Sequence, residues 1–126
     1  MAVTRVHAVP NPGAITVSPA AGEFLHFRLD TGGPRPIFSF ASSVKGPIFD
    51  EPDLTGPVYN WDHLKNPSDV QQLELLNLGL SFLTNGSYRY VVEFCSPTAA
   101  PVVKLDATFT GAPTDVASES FTVVIR

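Results

Sequence analysis

Twelve prolines and nine glycines divide this 126-residue chain into short segments, and that punctuation limits the fold more than any other feature. Proline lacks a backbone donor and clashes inside a helix, while glycine weakens helices and strands alike. The segments left between them suit short strands joined by turns, because strands need only about 5–6 residues whereas helices run about 10–14. Alternation then locates the strands. Leu25, Phe27 and Leu29 alternate with His26, Arg28 and Asp30, a period of two that sends one face to a core. The same rhythm recurs in Leu76, Leu78, Leu80 and Phe82, in Tyr88, Tyr90, Val92 and Phe94, in Val103, Leu105, Ala107 and Phe109, and in Phe121, Val123 and Ile125. Shorter strands are expected at residues 3–9, 14–18 and 36–42, separated by the turns PNPG, SPAAG and DTGGPRP.

Asn85-Gly86 is the strongest local turn signal. Both residues tolerate positive φ, so a tight hairpin is expected there and the last four strands read as a meander. One helical piece competes at residues 68–76, where Ser68 can cap and Gln71 can complete a capping box. The same leucines also serve a strand starting near Leu73. The expectation is one all-β domain over residues 1–126, an antiparallel two-sheet β-sandwich of jelly-roll or Ig-like type. It has about eight short strands and at most one short helix.

Composition removes several function classes. Charged residues make up only 16% of the chain, against roughly 25% in an average soluble protein, so much of the surface is uncharged or covered by a partner. The net charge is −4 and the basic residues are scattered singly, which disfavours nucleic-acid binding. Cys95 is the single cysteine, so an internal disulfide and a paired-cysteine metal site are both excluded. The opening MAVTRVHAVPNPG holds no apolar run of signal-peptide length, and no stretch approaches the ~18 apolar residues of a membrane span.

Residues 49–69, FDEPDLTGPVYNWDHLKNPSD, hold Asp50, Glu51, Asp53, Asp62 and Asp69 together with the only tryptophan and three prolines. The stretch reads as a long connection, and long connections carry function more often than strands do. Within it Tyr59, Asn60, Trp61, Asp62 and His63 join aromatic faces to amide, carboxylate and imidazole groups. Such a mixture serves sugar recognition or a protein interface, so these five form the candidate binding site. A lid in which Trp61 folds over one end of the core accounts for the same residues. Asp50, Glu51 and Asp53 offer oxygens to calcium, but at a spacing that matches no calcium loop. His7, His26 and His63 lack partners at zinc-ligand spacing. No metal site and no cofactor are expected.

Asp30-Thr31-Gly32, after Phe27-Arg28-Leu29, resembles the Asp-Thr-Gly of retropepsin-type aspartic proteases. The resemblance implies a paired subunit in which Asp30 shares a catalytic proton with its partner. It covers three residues; Gly33 stands where a small residue such as Ala or Ser is usual, and Pro34-Arg35-Pro36 interrupts the strand that should follow. A turn explains the same residues and is preferred. Asn85-Gly86-Ser87 also fits a glycosylation acceptor.

The expected function is a non-catalytic structural or surface-recognition module, with a virion protruding or decoration domain as its setting. Its partners would be further copies, or a glycan or protein receptor, at a virion surface or outside the cell, with no nucleic acid and no membrane insertion. The alternatives are a carbohydrate-binding module using Tyr59 to Asp62 and an aspartic protease subunit using Asp30.

Overall fold

The computed structural model describes residues 3–31, 38–43, 46–51, 58–63 and 72–126, with the backbone alone for 38–43, 46–51, 61, 72–77 and 80. Ten strands follow one another among the described residues: β1 (Thr4–Val9), β2 (Ala14–Val17), β3 (Phe24–Asp30), β4 (Phe38–Ser43), β5 (Gly46–Glu51), β6 (Val58–His63), β7 (Gln72–Ser81), β8 (Gly86–Ser96), β9 (Ala99–Gly111) and β10 (Val116–Ile125). A single 3₁₀ turn at Pro19–Ala21 is the only helical element there, and Gly22 closes it in the left-handed region at φ 81°. The strands form two five-stranded sheets. The first runs β1-β9-β8-β3-β6 and the second β2-β10-β7-β4-β5. β2 pairs in parallel with β10, and the other pairings are antiparallel.

Alternation builds the core as the sequence suggests. In β3, Leu25, Phe27 and Leu29 are fully buried, and in β10 so are Ala117, Phe121, Val123 and Ile125. One buried cluster draws on both sheets, from Ile15 and Val17 through Tyr88, Tyr90, Leu105 and Phe109. Each large apolar side chain contributes about 1.5–3 kcal/mol by leaving water. The Tyr90 hydroxyl donates to the Gly79 carbonyl at 2.8 Å, tying β8 of the first sheet to β7 of the second.

Several expectations change. Residues 49–69 are not one connection, because β5 and β6 occupy part of them; residues 52–57 and 64–71 lie outside the described residues. The helix considered at 68–76 gives way to β7 from Gln72 onward, where continuous register with β10, from Gln72↔Ile125 to Ser81↔Val116, satisfies the backbone. Residues 68–71 lie outside the described residues. The meander also fails. β7 pairs with β10 and β4, whereas β8 pairs with β9 and β3, so Asn85-Gly86 carries the chain from one sheet to the other instead of closing a hairpin. Phe82 and Tyr88 on either side of that crossover are both buried and meet edge-on, ring centroids 4.9 Å apart, so the shared core dictates the crossing. Gly111 packs beside them, where a Cβ would sit 3.0 Å from the Phe82 ring and press on it.

Val103, expected in the core, is exposed. The register jumps from Val92↔Leu105 to Glu93↔Val103, which leaves Lys104 as an extra residue. The bulge reverses the phase beyond it, but Val102 on the other phase is exposed as well, at 48% against 38% for Val103, so this end of β9 leaves the core.

Candidate functional site

Strand pairing divides Tyr59, Asn60, Asp62 and His63 between two faces. β6 runs antiparallel to β3 with Tyr59 opposite Leu29, Asn60 opposite Arg28, Trp61 opposite Phe27, Asp62 opposite His26 and His63 opposite Leu25. Tyr59 rests against the core cluster, and the His63 ring lies 6.2 Å from that of Phe27. Asn60 and Asp62 are exposed on the solvent side. The side chain of Trp61 is outside the described set.

What the fold brings together with Asn60 and Asp62 is His26. Its Nδ1 lies 2.7 Å from Asp62 Oδ1 and its Nε2 lies 3.0 Å from Asn60 Oδ1. Both partners are acceptors, so the doubly protonated ring fits the site best. Burial alone pulls the His26 pKa down, but the hydrogen bonds to Asp62 and Asn60 and the charges of Asp62 and Glu93 outweigh it, and the net shift is upward. A single-sequence reading places His26 on the polar side of its strand. It cannot see that β6 supplies the partners.

The polar face continues across the first sheet. Arg28 Nη2 approaches Asp30 Oδ2 at 3.5 Å. Arg89 donates from Nε and Nη2 to the two oxygens of Asp106 at 2.7 and 2.6 Å, a bidentate fork. That fork holds the Asp106 carboxyl below the usual range, against an opposing push from burial, and raises Arg89. Asp30, the residue of the Asp-Thr-Gly resemblance, therefore ends a strand beside a guanidinium. Thr31 is buried, while Gly32 and Gly33 lie outside the described residues. At the far end, burial and the charges of Glu93 and Asp62 push the Cys95 thiol up, away from the thiolate that a nucleophile needs. The arrangement is a row of paired charges laid over β6, β3, β8 and β9.

No family model, curated protein or solved structure matches this chain. Among the described residues, no group of three or more His, Cys, Asp or Glu side chains is placed to hold a metal ion. None of their helices is long and apolar enough to cross a membrane. The acidic trio is only partly visible: Asp50 and Glu51 are described by backbone alone and Asp53 lies outside the described residues.

A second polar cluster was missed at the sequence level. Glu119 occupies a core-facing position of β10, between buried Ala117 and Phe121, and its side chain is only 5% exposed. Asn11 Nδ2 donates to Oε1 at 2.7 Å, His7 Nε2 lies 3.3 Å from the same oxygen, and Arg5 Nε lies 3.8 Å from Oε2. Arg5 also donates to the Ser118 carbonyl and stands over the Phe109 ring, 5.3 Å from its centroid. These groups border a polar cavity of about 290 Å³ lined by Arg5, Asn11, Ser118, Glu119 and Ser120. The signal in the sequence was a glutamate standing in the apolar phase of an alternating strand, since a charge is seldom buried there without partners.

Proposed function

We propose that the chain is a non-catalytic β-sandwich module of jelly-roll or Ig-like type that acts by surface contact within an assembly. The observation that carries this is the solvent face of the first sheet. His26, Asn60, Asp62, Arg28, Asp30 and Arg89 spread over three neighbouring strands, with the buried Asp106 of a fourth holding Arg89, and such a spread suits an extended partner surface more than a small substrate. The stacked-sheet arrangement is supported by the one core that both sheets share. Low overall charge and the absence of a disulfide favour a coat protein's surface domain, either protruding from a virion or decorating it, as the setting. That step is an analogy at the level of fold. Tyr59 rests against the core, which favours a protein partner over saccharide stacking.

Sedimentation velocity over a wide concentration range, on the wild type and on Asp62→Arg, tests the reading. Association of the wild type that weakens at least tenfold in Asp62→Arg, with unfolding midpoints unchanged, supports it. A wild type that stays monomeric and binds neither proteins nor glycans overturns it.

A further inference from the structure

We propose that β1 is an exchangeable arm, which leaves its own β9 and pairs with β9 of a second copy of this chain. The inference rests on the assembly reading above and specifies one contact between copies. It follows from how β1 is attached.

Among the described residues β1 pairs with β9 alone, at one edge of the first sheet. Five of its six residues are exposed and Val9 is half-buried, so the strand gives no member to the buried core; Val3, just before it, is only partly buried. The arm is held by the ladder and by polar contacts to Glu119. Detaching it withdraws no fully buried side chain of its own, only the partly buried Val3 and the Arg5 guanidinium over the Phe109 ring, so the barrier to exchange is low compared with that for a strand such as β8.

The hinge is Pro10-Asn11-Pro12-Gly13. Each proline biases the residue before it toward extended backbone, so Val9 and Asn11 both favour a straight connection. The bent form depends on side-chain contacts. Asn11 Oδ1 accepts the Gly13 N–H at 2.8 Å, Asn11 Nδ2 donates to the Ser120 carbonyl at 2.6 Å and to Glu119, and Gly13 adopts φ 74°. Glu119 thus holds both the arm, through Arg5 and His7, and its hinge, through Asn11. An arm arriving from another copy restores the β9 ladder and the Arg5 and His7 contacts, so closed and exchanged forms differ chiefly at the hinge.

The test places a cross-link across the ladder, where Val6 faces Thr108. Val6→Cys/Thr108→Cys is made in a Cys95→Ser background, as isotopically light and heavy chains mixed in equal amounts, unfolded, refolded at high concentration and then oxidised. Exchange predicts that about half of the 6–108 cross-linked peptides from the oligomer join a light to a heavy chain. An oligomer whose 6–108 peptides are all light–light or heavy–heavy overturns the exchange and leaves the assembly reading standing. A protein that is monomeric at every concentration overturns both. Adding Pro10→Ala/Pro12→Ala to the cross-linking variant gives a second check: the light–heavy share of the 6–108 peptides should fall several-fold, and an unchanged share counts against the proposal.

Discussion

The polar groups of the interior and those on the solvent face of the first sheet use the same chemistry in opposite surroundings. Inside, Glu119 is 5% exposed and meets His7; outside, Asp62 is 31% exposed and meets His26. The outer contact is the shorter, at 2.7 Å against 3.3 Å, yet it should matter less to stability. Water replaces a lost partner at the surface, whereas a buried group left without one bears its full desolvation cost. Burial, more than distance, sets the energy of these pairs.

The largest effect is expected at Glu119. Asn11→Ala, which strips that buried carboxylate of its 2.7 Å donor, should lower unfolding free energy by about 2–3 kcal/mol in denaturant titration. A loss under about 1 kcal/mol would erase the contrast between inside and outside. Tyr90→Phe is next. It keeps the ring but leaves the Gly79 carbonyl without its donor, for about 1–2 kcal/mol.

On the solvent face the effects shrink and acquire a pH signature. Arg89 is 46% exposed but the Asp106 side chain only 10%, so Arg89→Ala, which strips a mostly buried carboxylate of its bidentate partner, should cost about 1–2 kcal/mol at neutral pH. The Asp106 pKa is lowered in the folded state, so this contribution is present above about pH 3.9 and disappears as pH falls through the folded value. Unfolding of wild type and variant should therefore converge in acid. His26 works in the other direction. Its folded pKa is raised, so its contribution is full below about pH 6.5 and is lost as pH rises through the folded value. His26→Gln should cost about 0.5 kcal/mol near pH 5.5 and almost nothing near pH 9. A variant penalty that grows with pH would contradict the assigned protonation.

β3 and β10 were legible because burial alternates along their whole length, even where Glu119 takes an inner position, and β8 because Tyr88, Tyr90 and Val92 keep the phase although Val91 is buried too. β5 and β6 were not, since Pro52, Pro57, Asn60 and the acidic residues around them dominate the local composition and strand formation there rests on pairing with β4 and β3. Asn85-Gly86 correctly marked a change of direction, but a turn signal carries no information about which sheet receives the next strand. The bulge at Lys104 hid the reversal at Val103 for a related reason, because register belongs to two strands and a single segment records only one. Of the binding residues, Asn60 and Asp62 join His26, whereas Tyr59 and His63 follow the alternation to the other side.

The parallel β2–β10 ladder and the β1–β9 ladder join the start of the chain to its end, with Thr4 beside Thr110 and Ala14 beside Thr122. Such contacts form only after a long loop has closed, which slows folding. On a ribosome the first two strands would emerge long before their partners exist. β3 needs far less chain to reach its neighbour β6, so the N-terminal segment is among the last to find its ladder. Where many copies are made side by side, the β9 edge that such a segment reaches first need not be its own.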